Sequence, residues 1–330
     1  MLETLLAFSL VKRLSEDQQL SIHRLVQVVQ LERLSSEEQR QWAERIVLAV
    51  SALFPPDPAY DVASWPQCLR YLEQVQACDA LIQQHQLLLP EAADMLDRTG
   101  AYLASCDLPA LAEPLFRQAL RIWEQQWGPE HVEMAWPLNN LANLYTILGK
   151  YAQAEPLYQR ALRIWEQLGL NHQLVSHPLN GLGNLYSEQG KYAQAEECYQ
   201  RALSTWEQQL GTEHVDVASP LGGLGNIYSA QGKYEKAKPL YQRALSIREQ
   251  QLGAEHPETA EIVHGLARFW EMQGNLEEAR MCYSRALAIR EQALGTQHPR
   301  ARETRTRLIA LLHTMGEHEN ATHLEVAQSE

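Results

Sequence analysis

Residues 141–162 read LANLYTILGKYAQAEPLYQRAL, and residues 182–203 read LGNLYSEQGKYAQAEECYQRAL. A third copy of this segment runs from Leu224 to Leu245, and a looser fourth copy runs from Leu266 to Leu287. Self-similarity at a fixed period is typical of repeat architectures, in which each unit buries its apolar face against its neighbours. The chain is therefore predicted to be an elongated array of units rather than a globule around one central core.

The period of the array is about 42 residues. Marker glycines are spaced by 41, 42, 42 and 42 residues, at Gly149, Gly190, Gly232, Gly274 and Gly316. Histidines keep the same spacing, at His131, His172, His214, His256 and His298. A degenerate copy with Gly100 and Phe116 in register precedes these units, and a partial copy follows them. The spacing predicts five full units and a C-terminal half-unit over residues 91–330.

Each unit is predicted to contain two helices. Leu138, Leu141 and Tyr145 follow the i, i+3, i+7 spacing that marks the buried face of a first helix. Gly149 then ends this helix, because glycine adopts the left-handed conformation that a helix C-cap requires. Tyr158 and its periodic neighbours mark the buried face of the second helix. The histidine of each unit falls in the turn that follows, where we expect it to cap the turn.

These residues resemble the tetratricopeptide repeat. The positions that fit its signature are Leu182, Gly183, Tyr186, Ala195, Tyr199 and Ala202. The 42-residue unit is similar to that of kinesin light chains, which share the Asn-rich first helix and the Leu-Gly-x-x-His-Pro turn. The resemblance covers residues 91–328. It implies an all-α fold, a right-handed superhelical solenoid of helix hairpins whose first helices line a concave groove.

Three asparagines, Asn143, Asn184 and Asn226, take the same place in successive first helices. Because an amide side chain both donates and accepts hydrogen bonds, a row of asparagines is suited to hold the backbone of an extended peptide. The predicted groove residues are Trp136, Asn139, Asn143, His177, Asn180, Asn184, Ser187, Ser219, Asn226, Ser229, His264 and Arg268. In the alternative, the asparagines only bond neighbouring repeats, and the array is a structural or oligomerisation scaffold without a peptide ligand.

Glycines are concentrated in the same first helices, at positions 181, 183, 222, 223 and 225. A glycine inside a helix costs up to about 1 kcal/mol relative to alanine. Two explanations would justify that cost. The glycines either allow close helix packing or let a ligand backbone approach, and the sequence leaves both open.

The N-terminal residues follow a different pattern. Residues 9–25 alternate around a polar turn, which predicts a β-hairpin, and a helix is predicted from His23 to Leu34. The phrase Ile22-His23-Arg24-Leu25-Val26 resembles the Met-His-Asp motif of the NB-ARC (STAND) signalling ATPases, although Arg24 replaces the acidic residue. The resemblance implies that residues 1–34 are a winged-helix-like remnant, that His23 is a remnant of a nucleotide sensor, and that a longer chain would carry an upstream nucleotide-binding module. A plain hairpin that caps the solenoid is the alternative.

Residues 35–90 are predicted to be a helical linker or a degenerate leading repeat. Ser35 and Glu38 have the spacing of a capping box. The first helix carries an apolar stripe that includes Trp42, Ile46 and Leu53, and the second is predicted to bury residues from Cys68 and Leu69 onwards.

Composition excludes several classes of function. The net charge of the 330 residues is −13, which disfavours nucleic acid as a partner. No apolar run is long enough to cross a membrane. The five cysteines include no C-x-x-C pair, so neither a disulfide framework nor a zinc site is indicated, and a reducing cytoplasm is expected.

The sequence also contains no recognisable catalytic constellation. His313, His318 and His323 are closely spaced but are interpreted as a solvated terminal face rather than a metal site. We therefore predict a non-enzymatic protein without cofactor or metal, whose partner is a protein or peptide segment. A homo-oligomer is retained as an alternative.

Overall fold

The computed structural model describes residues 11–14, 19–22, 34–58, 61–167 and 173–329. Two short strands, β1 (Val11–Leu14) and β2 (Gln19–Ile22), pair antiparallel with Val11 opposite Ile22. They lie where the sequence predicts a hairpin. The predicted turn at 15–18, the predicted helix from His23 and the side chain of His23 itself lie outside the described residues.

Two helices, α1 (Ser36–Leu53) and α2 (Trp65–His85), precede the array and pack against each other. The predicted capping box is confirmed, because Glu38 N donates to Ser35 Oγ at 3.3 Å and Ser35 N donates to the Glu38 carboxylate at 2.8 Å. The predicted apolar stripe of α1, however, faces outwards: Trp42 is 51% exposed and Leu53 49%. The buried face of α1 is instead made by small residues such as Ala43, which allow α1 to lie close to its neighbours.

Within the described ranges, twelve further helices form six consecutive pairs. They are α3 (Pro90–Ser105) with α4 (Pro109–Trp127), α5 (Ala135–Ile147) with α6 (Tyr151–Glu166), α7 (Ser176–Glu188) with α8 (Tyr192–Leu210), α9 (Ala218–Ala230) with α10 (Tyr234–Gln251), α11 (Pro257–Met272) with α12 (Leu276–Leu294), and α13 (Pro299–Met315) with α14 (His318–Ser329). The predicted C-terminal half-unit is thus a sixth pair. Its second helix is short, 12 residues against 16–19 in the other pairs, which explains why the sequence signal is weak there.

The turns follow the predicted pattern. The five marker glycines have φ between 68° and 82°, the left-handed conformation that ends the first helix of a pair. Four turn histidines accept a hydrogen bond at Nδ1 from the backbone N–H two residues later: His131 from Glu133, His214 from Asp216, His256 from Glu258 and His298 from Arg300. The prediction that the histidines cap the turns is confirmed for these four. His172 lies outside the described residues.

One apolar core runs from α1 to α11, and separate clusters cover the last pairs. Leu138, Leu141 and Tyr145 of α5 are all buried, as their spacing predicts, and Tyr158 of α6 is fully buried against them. Each pair shares apolar contacts with the next, so the stability of the array is expected to be local and nearest-neighbour in character.

Tyrosine rings explain the glycines of the first helices. The ring of Tyr199 lies between Gly183 of α7 and Gly223 of α9, and a Cβ atom added at these glycines would lie 2.5 Å and 2.4 Å from ring carbons. Tyr158 is packed in the same way against Gly181, which belongs to the next pair. Of the two explanations that the sequence leaves open, close helix packing is therefore the one that these positions support.

Toward the C-terminus the core becomes polar. Arg248 and Arg290 take the places that Trp165 and Trp206 occupy in earlier pairs. The side chain of Arg290 is 2% exposed, and its guanidinium donates to Glu261 at 2.9 Å and to the backbone carbonyl of Arg300 at 3.0 Å. A buried guanidinium with these partners links α12 to α11 and α13.

Candidate functional site

First helices of successive pairs line a partly open cavity of about 1080 Å³. Five of the predicted groove residues line it: Asn143, Asn180, Asn184, Ser219 and Asn226. The helices α5, α7 and α9 bring these side chains to one wall because each is the first helix of its pair. The predicted asparagine row therefore lies on the wall of a single cavity.

The three asparagines of the row are exposed, and each is held by a tyrosine. The hydroxyls of Tyr158, Tyr199 and Tyr241 donate to the Oδ1 atoms of Asn143, Asn184 and Asn226, each at 2.7 Å. The asparagine oxygen is thereby engaged inside the protein. No group among the described residues accepts from the Nδ2 atoms, so the two N–H donors of each amide are available on the cavity side.

Burial also determines the protonation state of the three tyrosines. Burial raises the pKa of Tyr158 and of Tyr199, and it raises the pKa of Tyr241 to about 12. Each hydroxyl therefore retains its proton at neutral pH and acts as a donor. Because its Oδ1 accepts from the hydroxyl, each asparagine presents its N–H donors to the cavity.

Three predicted groove residues are inside the protein instead. Asn139 and Ser229 are 5% and 3% exposed, and Ser229 donates to the backbone carbonyl of Gly225 at 2.7 Å. His264 is also buried, where its Nδ1 lies 3.2 Å from the hydroxyl of Thr304. Burial and the neighbouring Arg290 lower the pKa of His264 to about 4, so this ring is neutral at pH 7. These three positions were wrongly assigned to the groove surface, because the face of a helix next to its neighbour is covered once the pairs stack.

Two predicted groove residues belong to an aromatic cluster. The ring centroids of Trp136 in α5 and His177 in α7 are 4.7 Å apart, and His177 lies 5.2 Å from Trp206 of α8 in its own pair. Burial lowers the pKa of His177, which keeps its ring neutral in this cluster. Neither residue is part of the cavity lining, and their contacts join successive repeats.

The remaining two predicted residues lie beside the row. Ser187 is half-buried in α7, one turn from Asn184. Arg268 is exposed and occupies in α11 the place that asparagine has in the three preceding pairs. The row of amides thus ends at α9.

Asn140 also lines the cavity, but its amide is engaged between repeats. Its Nδ2 donates at 3.0 Å to the carboxylate of Asp97, and the second oxygen of that carboxylate is buried and has no partner among the described residues. Burial raises the pKa of Asp97 to about 7, against the effect of the Asn140 hydrogen bond. The sequence analysis did not single out this carboxyl group.

We expect Asp97→Asn to stabilise the protein at alkaline pH. The folded-state pKa of Asp97 lies above that of an unfolded aspartate, so its cost is absent at low pH and grows as the pH rises towards 7. The gain in the free energy of unfolding should be about 2–3 kcal/mol larger at pH 8 than at pH 5, measured by urea titration. Asp57→Asn, at an exposed aspartate between α1 and α2, is the control. An identical gain at both pH values would contradict the assignment.

The cavity also has walls that the sequence analysis missed. It is also lined by apolar side chains that include Val62, Trp65 and Leu144, and by charged side chains that include Glu261 and Arg300. Val62 and Trp65 precede the repeats and Arg300 lies in the last pair, where the repeat pattern is weak, so no periodic signal marks these three residues.

The charged side chains of the lining are paired with one another. Arg300 and Arg290 donate to the two oxygens of Glu261 at 2.8 Å and 2.9 Å. Although burial opposes it, these guanidinium groups hold the pKa of Glu261 below its usual range. The acid is therefore a carboxylate at neutral pH, and it forms an ion-paired patch of the cavity lining with Arg300.

Comparison with known families accounts for most of the chain. A family model described as Tetratricopeptide repeat matches residues 91–167, 174–250, 216–269 and 258–325. The chain belongs to the tetratricopeptide repeat family. A model described as Domain of unknown function (DUF7779) matches residues 1–39 of this repeat protein. No curated protein is similar enough in sequence to count as a relative.

Solved structures show the same fold. BtubC (BKLC) from P. vanneervenii is 23% identical, with 72% of this chain and 92% of that chain covered at a TM-score of 0.50. NprR in complex with its cognate peptide NprX is 16% identical, with 93% of this chain and 83% of that chain covered at a TM-score of 0.60. A Rap protein complexed with Competence and Sporulation Factor is 14% identical, with 92% of this chain and 89% of that chain covered at a TM-score of 0.58. These likenesses confirm the all-helical repeat array.

Two features are absent from the described part of the repeat protein. No helix within the described part of the chain is long and apolar enough to cross a membrane. In the same part of the chain, no group of three or more His, Cys, Asp or Glu residues is arranged to hold a metal ion. His313 and His318 lie 3.2 Å apart at their Nδ1 atoms on the terminal pair.

Proposed function

We propose that this repeat protein is a non-enzymatic scaffold that binds an extended peptide in the asparagine-lined cavity. The observation that carries the proposal is the arrangement of Asn143, Asn184 and Asn226, whose oxygens are occupied by tyrosine hydroxyls while their N–H donors remain available. A peptide backbone presents carbonyl oxygens along its whole length. Donors held in one orientation are therefore suited to a peptide whose side chains vary.

The spacing of the row fits an extended chain. Packed helices lie about 8–10 Å apart, and an extended chain advances about 3.3 Å per residue. Each asparagine would therefore meet the backbone of about every third residue of the ligand. Three asparagines would span about seven residues, a length that the cavity of about 1080 Å³ supports.

Proteins of the same fold bind peptides in their solved structures. NprR is seen with its cognate peptide NprX, and a Rap protein is seen with Competence and Sporulation Factor. At 14–16% identity these proteins share only the fold with the present chain. They support the class of ligand and do not identify it.

The test replaces all three asparagines by aspartate. Aspartate still accepts from the tyrosine hydroxyls, so the fold is retained, but it has no N–H donor to offer a peptide carbonyl. We expect binding of peptides selected from a random library to fall at least about 100-fold, because each lost pair of hydrogen bonds costs about 1 kcal/mol or more. Binding is measured by fluorescence anisotropy.

The control for this triple variant is the corresponding substitution outside the row. Asn320→Asp lies on the terminal pair, where the asparagine side chain donates to Glu317 on the surface. It should leave peptide binding unchanged. Full binding by the triple variant would refute the role of the asparagine row, whereas a library without any binder would refute peptide recognition as a whole.

A structural or oligomerisation scaffold is the second candidate. The outward stripe of α1, with Trp42, Ile46 and Leu53 each about half exposed, favours association with another chain. In this case analytical ultracentrifugation would show a dimer or larger species that Trp42→Glu dissociates. A concentration-independent monomer would remove this candidate.

The place of the protein in a larger regulator is a further part of the proposal. On the resemblance of residues 22–26 to the Met-His-Asp motif, we propose that the array is the ligand-sensing region of an NB-ARC-type regulator with His23 as a remnant of the sensor. A nucleotide-binding module encoded upstream in the same reading frame would support this view. A reading frame that begins at Met1 would contradict it.

A further inference from the structure

The two ends of the array meet across the mouth of the cavity. The Nε2 atom of His298, before α13, lies 3.0 Å from the backbone oxygen of Ser105, which is 193 residues earlier at the end of α3. The His298 ring also stacks on Trp65 at the start of α2, with centroids 6.4 Å apart and planes at 29°. The imidazole is only 9% exposed. Contacts in a solenoid are otherwise between neighbours, so this one closes the array on itself.

The hydrogen-bond network sets the direction of this contact. The Nδ1 atom of His298 accepts from Arg300 N at 3.2 Å, so a neutral ring carries its proton on Nε2. That proton is donated to the carbonyl of Ser105. The Nδ1 atoms of His131, His214 and His256 accept in the same way, so the turn cap orients all four rings. His298 differs from the other three because its Nε2 contacts the carbonyl of Ser105.

The closing contact changes the shape of the binding site. Trp65 and Ser105 from one end of the array and His298 from the other line the same cavity as the asparagine row. At this contact, residues from the two ends of the array form one stretch of the cavity lining. In an open groove, an internal segment of a protein can lie across the concave face and leave at both edges. Here the edge where such a segment would leave is bridged by the His298 contact.

We infer that the ligand enters by a free end, as a short peptide with free termini, and that an internal segment flanked by folded domains is excluded while His298 is in contact with Ser105. This inference rests on the proposed function and adds to it the class of peptide. The cavity of about 1080 Å³ is at the upper end of the range for small-molecule sites, which is the size that a short peptide needs.

The test compares one peptide sequence in two formats. A peptide is selected from a random decapeptide library on the full chain, and the same sequence is then placed between two folded domains through short linkers. We expect the flanked format to bind at least about 30-fold more weakly than the free peptide. Equal affinity for the two formats would overturn the inference while leaving peptide binding intact. Failure to select any peptide would overturn the proposed function itself.

A variant of the closing contact completes the test. In His298→Asn the shorter side chain still caps α13 by accepting from Arg300 N but cannot reach Ser105. We expect it to bind the flanked format at least about 10-fold more tightly than the original protein does, with circular dichroism confirming that the helices are kept. His214→Asn, which changes the same cap in a turn outside the cavity lining, should leave the preference for the free peptide unchanged. An unchanged preference in His298→Asn would also overturn the inference.

Discussion

Gly223→Ala is expected to lower the free energy of unfolding by about 2–3 kcal/mol. The added Cβ would lie 2.4 Å from the ring of Tyr199, far inside van der Waals contact. The ring cannot retreat, because Gly183 of the preceding pair lies against it from the other side. The helix-forming advantage of alanine, about 1 kcal/mol at most, is too small to offset this overlap. The loss is measured by urea unfolding.

Gly222→Ala is the matched control in the same helix. A Cβ at this position would meet only the end of the flexible Ile262 side chain, at 2.9 Å, which can move aside at little cost. We therefore expect a stability change within about 0.5 kcal/mol of zero, or a small gain from helix propensity. Equal losses from the two substitutions would show that the tyrosine does not determine the need for glycine at 223.

Arg290→Ala is expected to destabilise the C-terminal pairs by about 2–4 kcal/mol. Arg290 is buried, and its loss removes the hydrogen bonds to Glu261 and to the backbone of α13 while leaving a cavity in the core. Because stability in a solenoid is local, the effect should appear mainly in α11, α12 and α13. Hydrogen exchange resolved by mass spectrometry measures it there.

Arg300→Ala provides the comparison, since Arg300 pairs with the same carboxylate from the surface. Its side chain is 53% exposed, and exposed ion pairs contribute about 0–1 kcal/mol. Protection in α11 to α13 should therefore change little. If the two arginine variants exchanged equally fast, burial would not be the source of the Arg290 contribution.

The pattern of residues was sufficient to predict the helices and turns of the array. The buried face of α5, the marker glycines with positive φ and the histidine caps all depend on contacts within one repeat, and such contacts leave a periodic signal. Prediction failed where the period is broken. The exposed stripe of α1 has the spacing of a buried face, but the helix packs through Ala43 and its neighbours instead.

The binding site was predictable only in part. The asparagine row was found because it repeats, yet Asn139 and His264, assigned to the same surface, are buried by the next pair. Whether a helix face is exposed depends on how far each pair is rotated against its neighbour. That rotation is set by the packing of whole side chains, such as the Tyr199 ring between two glycines, and a single repeat does not contain it.

The sequence by itself determined that the chain is an array of helix pairs. Apolar stripes that recur every 42 residues can be buried only when each helix pair stacks on the next. Only the tertiary structure showed that the N–H donors of the asparagines, rather than their oxygens, face the cavity. It also showed that the two ends of the array are in contact. The physical reason is that small rotations between neighbours add up along the array. The contact between His298 and Ser105 depends on all of these rotations together, so no short stretch of sequence predicts it.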